Sequence, residues 1–180
     1  MKNSIIAASI MALFGAANVA HAAPTGTITF NGELTANTCV VKVNGQGPSE
    51  TVVLPTISIN QLKTSGESAG KTNFSMELSD CSDTATGVAA FFEAGKDVNI
   101  NGRLNNNLTD GAKLVSLQLL DGSNGYTAIK AGDQVQNTAT ASVTVTDGKA
   151  TLPYAVQYYA EGATSAGKVV SMVDYSIIYK

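Results

Sequence analysis

Val169-Val-Ser-Met-Val-Asp-Tyr-Ser-Ile-Ile-Tyr-Lys180 sets apolar Val173, Tyr175, Ile177 and Tyr179 at every second position, up to the last residue but one. A period of two marks a strand with one face on a core. The expectation is a closing strand with no later strand to pair with. Near the other end, Thr25-Gly-Thr-Ile-Thr-Phe-Asn-Gly-Glu-Leu34 alternates in the same way, through Ile28, Phe30, Gly32 and Leu34. An orphan strand in front and an unpartnered strand at the back together point to a chain that lends its first strand to a neighbour.

Asn31-Gly32 can be read in two ways. Asn-Gly favours a type I′ hairpin turn. The alternation of Ile28, Phe30 and Leu34 nevertheless runs unbroken across it, and a turn there would leave arms only a few residues long. The preferred reading is a continuous strand whose glycine sits at a crowded contact.

The same period recurs through the chain. Phe74, Met76 and Leu78 alternate in residues 72–79, and Val88, Ala90 and Phe92 in the next run. Val115, Leu117 and Leu119 follow, then Val143 and Val145, then Leu152, Tyr154, Val156 and Tyr158. Residues 38–43 and 51–54 are shorter and more uniformly apolar. Asn44-Gly45, Asn101-Gly102, Asp110-Gly111, Asp121-Gly122, Asn124-Gly125 and Asp147-Gly148 supply turn signals between the runs. Many short strands without a helical period predict an all-β sandwich. Residues 57–70 are read as a loop or one short helical turn, and residues 94–111, rich in Gly and Asn, as a long surface loop.

The start reads as a secretory signal. Lys2 precedes an apolar stretch too short to span a bilayer comfortably, and Ala20-His21-Ala22 fits an A-x-A cleavage site. A cut after Ala22 removes 22 of the 180 residues and leaves 158, enough for one domain with its own core. The expected division is residues 1–22 as signal peptide, 23–35 as an N-terminal extension and 36–180 as the domain. Loss of Lys2 and His21 leaves ten Lys/Arg against fourteen Asp/Glu, a formal charge of −4, with Arg103 the single arginine and no histidine. An acidic chain with no basic cluster is not built to hold nucleic acid.

Cys39 and Cys81 are the only cysteines. In an exported chain the default is a disulfide. In the chain-entropy model a loop of roughly 43 residues contributes about 4 kcal/mol. Two cysteines with no histidine and no C-x-x-C spacing fit a metal site poorly. Lack of histidine also removes Ser-His-Asp and Cys-His catalysis. Asp121-Gly-Ser-Asn-Gly125 lacks the ligands of a calcium loop and is read as a hairpin turn. Asp80 with Asp83, and Glu93 with Asp97, are read as solvated carboxylates. Glycoside hydrolysis by carboxylates distant in sequence stays open on pattern alone, but there is no tryptophan to serve as a sugar platform. Asn73-Phe-Ser and Asn107-Leu-Thr match a glycosylation pattern that is frequent by chance.

Taken in order, these features resemble the type 1-like fimbrial subunits of the chaperone–usher pathway. The resemblance rests on Gly26-Thr-Ile-Thr-Phe-Asn-Gly-Glu-Leu34 followed by Cys39, and on Leu78-Ser-Asp-Cys81. It rests also on Leu152-Pro-Tyr-Ala-Val-Gln-Tyr-Tyr-Ala160 before a Gly/Ala-rich hairpin, on Gly167, and on the penultimate Tyr179. It implies an incomplete immunoglobulin-like sandwich that lacks its last strand and leaves an apolar groove beside the final one. A periplasmic chaperone would fill that groove first. At an outer-membrane usher, the extension of the next subunit would replace it. Ile28, Phe30 and Leu34 would then fill pockets, with Gly32 at a tight part of the groove. Val173, Tyr175, Ile177, Tyr179 and the Lys180 carboxylate would form the groove strand and the chaperone-recognition end. The short start, Ala23-Pro24, departs from the family pattern at the outermost pocket contact. The implied product is a structural subunit of a surface fimbria, with no enzyme activity and no cofactor. The other reading is an adhesin or a lectin-like module. Family adhesins carry a receptor domain ahead of the pilin domain, for which the expected mature length leaves no room.

Overall fold

A computed structural model of the chain describes residues 27–32, 34, 38–82 and 85–180. The expected signal peptide lies outside these residues, as do residues 23–26, Glu33, residues 35–37 and Asp83. The chain divides into two units, residues 1–34 and 35–180. In the first unit, Thr27 to Gly32 and Leu34 carry no helix, strand or turn. Ile28, Phe30 and Leu34 are 78%, 87% and 101% exposed. Neither Asn31 nor Gly32 has a positive φ, so the type I′ turn, which needs one at both positions, does not form.

The second unit is a two-sheet β sandwich. Its strands are β1 (Val40–Val43), β2 (Ser68–Ser79), β3 (Gly87–Phe92), β4 (Leu104–Asn105), β5 (Val115–Asp121), β6 (Thr127–Ile129), β7 (Val143–Thr144), β8 (Ala150–Ala160) and β9 (Tyr175–Tyr179). One sheet runs β1-β2-β8-β5-β4, with β6 also paired to β5, and the other runs β7-β3-β9. Every strand pair is antiparallel. An immunoglobulin constant-type sandwich sets strands A, B, E and D in one sheet and C, F and G in the other. Here β1, β2, β8 and β5 occupy A, B, E and D, while β3 and β9 occupy C and F. Among the described residues no strand occupies the G position.

Period-two patterning builds the core between the sheets. Met76, Leu78, Leu117, Leu119, Leu152, Tyr154 and Val156 face Val88, Ala90 and Phe92, all at most 7% exposed. Phe92 meets Tyr154 edge to face at 5.2 Å between ring centroids, a favoured aromatic geometry. β3 departs from the expected alternation. Ala89 and Phe91 are buried as well, so both faces of this central strand are covered.

Several loops differ from expectation. Residues 94–111 are not a free surface loop: β4 pairs with β5, Val98 bridges to Leu104, and Leu104 and Asp97 are buried. Residues 57–70 hold one 3-10 turn, Ile59–Gln61, and their last three residues begin β2. The calcium-like stretch is the predicted hairpin turn between β5 and β6. Asp121 takes its amides there, accepting from the Ser123 and Ala141 N–H groups at 2.9 and 2.8 Å.

Cys39 and Cys81 form a disulfide. It closes the end of the β1–β2 ladder, whose outermost pair is Val40 with Ser79. After Val43 the chain leaves this sheet. Asn44 and Gly45 both take positive φ (49° and 74°), and the Gln46 N–H donates to the Val43 carbonyl, as in a type I′ turn. Residues 48–57 then run outside either sheet.

Replacing both cysteines with alanine is expected to lower the unfolding free energy by about 2–5 kcal/mol. The loss should read as a lower urea midpoint, with a somewhat steeper slope because the unfolded chain, freed of its cross-link, exposes more surface. Two free thiols in the mature folded chain, seen by mass spectrometry, would contradict the pairing.

Candidate functional site

A sheet leaves backbone donors and acceptors unpaired at each edge, and proteins normally cover such edges. The sheet containing β9 treats its two edges differently. Beyond β3, the short β7 pairs only at Gly87 and Val88. Core side chains cover the rest of that edge. The Ala90 N–H donates to the Tyr154 hydroxyl at 2.9 Å. The Phe92 N–H donates to Gln136 Oε1 at 2.9 Å, and Gln136 Nε2 returns a bond to the Phe92 carbonyl at 3.0 Å. Gln136 is 1% exposed and opens the four-residue helical turn α1 (Gln136–Ala139). Burial pushes the Tyr154 phenol up to about 12.

The β9 edge is open. Glu93 N–H donates to the Asp174 carbonyl, and Gly87 and Lys180 exchange bonds in both directions. Between them Phe91 pairs with Ser176 and Ala89 with Ile178. In an antiparallel ladder, bonded and non-bonded pairs alternate. The even-numbered residues of β9 therefore bond to β3, and Tyr175, Ile177 and Tyr179 aim their N–H and C=O groups away from it. The same odd-numbered residues turn their side chains inward. Val173, Tyr175, Ile177 and Tyr179 all pack on the core, yet each stays half-buried. Val169 and Ser171 extend this row, and the Ser171 hydroxyl is buried with no hydrogen-bond partner among the described residues.

The stretch of residues 48–57 supplies the opposite wall. Val52 and Leu54 pack on the same core, whereas Val53 between them is 80% exposed. Among the described residues no backbone–backbone hydrogen bond reaches residues 49–57. Two tyrosines reach this wall. The Tyr175 hydroxyl donates to the Pro48 carbonyl at 2.7 Å and the Tyr158 hydroxyl to the Pro55 carbonyl at 3.3 Å. Partial burial raises both phenols above their ordinary value. The result is a trough with an apolar floor and unpaired backbone along both sides.

Val173, Tyr175, Ile177 and Tyr179 thus form the single row that their alternation predicted. Lys180 closes one end. Its main-chain oxygen accepts from Gly87 N–H at 3.0 Å and Thr86 Oγ1 at 2.6 Å, and its ammonium donates to the Thr140 carbonyl. Ile28, Phe30, Gly32 and Leu34 belong to the other unit, where a side chain built on Gly32 would meet no atom within 4 Å. Glu93 and Asp97 are not an idle acidic pair. Glu93 accepts from the Ser176 hydroxyl at 2.6 Å, and Asp97 accepts from the Asn107 amide and the Met172 N–H. Sequence reasoning missed the wall at Val52 and Leu54, whose alternation spans only two inward residues. It also missed the edge-sealing roles of Tyr154 and Gln136, which no local pattern marks.

The family model for type-1 fimbrial protein A matches residues 54–180. The major fimbrial subunit SMF-1 of Stenotrophomonas maltophilia is 45% identical over 171 residues, covering 93% of this chain and 99% of that protein. The F17 fimbrial protein of Escherichia coli is 39% identical over 173 residues, covering 93% and 94%. Among solved structures, a chaperone–usher pilus subunit superposes with a TM-score of 0.60 at 17% identity, covering 87% of this chain and 96% of that one. The P pilus rod subunit PapA superposes with a TM-score of 0.59 at 12% identity, covering 79% and 99%. These two likenesses carry the fold alone.

The Tyr154 hydroxyl generates a prediction with a defined sign. Its folded pKa of about 12 lies above the ordinary 10.0. Its contribution to stability is therefore full below pH 10 and is lost as pH rises through 12. Tyr154→Phe should lower stability at neutral pH by about 1–3 kcal/mol, because the Ala90 N–H loses its partner. The variant should then lose less than the parent between pH 10 and 12. Parallel pH profiles in denaturant titrations would refute the assignment.

Proposed function

We propose how this chain, which belongs to the FimA family of type-1 fimbrial proteins, polymerises: each subunit accepts the N-terminal strand of another copy in the trough beside β9. The chain is a structural pilin. The observation that carries the assembly reading is the open β9 edge, with its half-buried row of Val173, Tyr175, Ile177 and Tyr179. The extension supplies what that trough lacks. Ile28, Phe30 and Leu34 are exposed apolar residues at a spacing of two, and a strand added beside β9 would complete the missing G position. Burying each of them is worth about 1.5–3 kcal/mol. Gly32 is read as the residue of the incoming strand that passes the tightest part of the floor.

A free subunit with such a trough would aggregate. The reading therefore includes a periplasmic chaperone that covers the trough after export, and an outer-membrane usher at which the incoming extension replaces it. The destination is a fimbria on the cell surface. Because exchange withdraws a whole strand at once, the polymer is expected to persist far longer than its equilibrium affinity alone implies.

Two outcomes test this. A chain lacking residues 23–34 should still be captured by the chaperone but should fail to extend a fibre, and Gly32→Leu should reproduce the defect by overpacking, at about 1–3 kcal/mol or more. Thr29→Ser, on the other face of the strand, should change little. The assay is the ladder of heat-sensitive multimers on denaturing gels run without boiling; long ladders from the truncated chain alone would refute donor-strand assembly. Removing Tyr179 and Lys180 should abolish chaperone capture and lead to degradation in the periplasm, which normal co-purification with the chaperone would contradict.

A further inference from the structure

β9 spans five residues, about 17 Å at roughly 3.4 Å per residue, whereas the ten-residue alternating run 25–34 needs about 34 Å. An acceptor edge made of β9 alone would cover half of that strand. The row of inward residues nevertheless continues through Val173, Ser171 and Val169, in a stretch with no strand partner. Hydrogen bonds with Asn106, Asn107 and Asp97 hold this stretch. Asn106 Oδ1 accepts from the Val170 N–H at 2.9 Å, while Asn106 Nδ2 donates to the Lys168 carbonyl at 2.9 Å. Asn107 N–H donates to the Val170 carbonyl at 2.8 Å. Asp97 Oδ2 accepts from the Met172 N–H at 3.2 Å. Asp97 is 6% exposed and is itself fixed by the Asn107 amide at 3.1 Å. Gly167 permits the approach at the far end: a Cβ there would lie 2.9 Å from Ala112 Cα.

These bonds all fall on even-numbered residues, the side on which β9 itself bonds to β3. They leave the odd-numbered backbone groups free on the side of the trough. From this geometry we infer that Asn106 and Asp97 are positioning residues that act as a surrogate strand, extending the acceptor edge from β9 back to Val169. The inference rests on the donor-strand reading and specifies which residues set the length of the acceptor. The clamp acts on one half of the bound strand, so its loss is felt at one end of the donor and not at the other.

The test uses the full chain assembled in sheared fibres and reads the temperature at which multimers dissociate in detergent. Asn106→Ala should lower that temperature by several degrees. Asn106→Ser keeps one hydrogen-bonding group at the site but loses the reach to donate to the Lys168 and Ala112 carbonyls. It should fall between the parent and the alanine variant, and it carries the test should the alanine variant not reach the surface. Ile28→Ala and Leu34→Ala, at opposite ends of the donor, are then combined with each Asn106 variant. The combined effect should be non-additive with one end and additive with the other. An unchanged dissociation temperature, or additivity with both ends, overturns the clamp while leaving donor-strand assembly standing. If Ile28→Ala and Leu34→Ala themselves leave the multimers unchanged, the donor-strand reading fails and the clamp falls with it.

Discussion

Every buried main-chain amide and carbonyl needs a partner, and the architecture of this sandwich follows from where that requirement is met and where it is left open. The central strand β3 is buried on both faces, so neither of its edges can rely on water. One edge is given to β9. The other is closed by β7, the Tyr154 hydroxyl and the Gln136 amide. Beyond β9, among the described residues, the row of backbone groups ends without a neighbour. The difference is chemical: core side chains seal the edge beyond β3, whereas among the described residues no side-chain hydrogen bond reaches the backbone from Tyr175 to Tyr179.

The same residues couple the two sheets. Tyr154 belongs to β8, yet its ring packs on Phe92 and its hydroxyl bonds to Ala90, both in β3. Leu152 and Val156, on the same face of β8, belong to the core on which the odd row of β9 packs. The open trough is therefore not a void in a soft region. Its floor rests on a close-packed core, and such interiors resist deformation.

Much of this could be read from alternation alone. Val173, Tyr175, Ile177 and Tyr179 share a face because a strand has period two, and the lone cysteine pair in an exported chain closes as expected. At Asn31 and Gly32 no type I′ turn forms, but the described residues of that alternating run form no strand by themselves and nothing crowds Gly32. Alternation was silent wherever a side chain does the work of a strand. Asn106 and Asp97 sit in a segment whose Asn and Gly content suggested a loose loop, yet both bond to backbone more than 60 residues away. The burial of Ala89 and Phe91 was not legible either, because a two-sided burial cannot be told from a one-sided one when the alternate residues are themselves apolar.

The ladder between β3 and β9 has a mechanical side. Its hydrogen bonds lie across the strands, as antiparallel geometry dictates, and it is closed at one extremity by the paired bonds of Gly87 with Lys180 and at the other by Glu93 with Asp174. A pull directed along β9 stretches all of these bonds sideways at the same moment, whereas a pull across it would open them one after another. Loaded lengthwise, this edge resists as a sheared joint and not as a zipper, and its strength scales with the number of bonds that must break together.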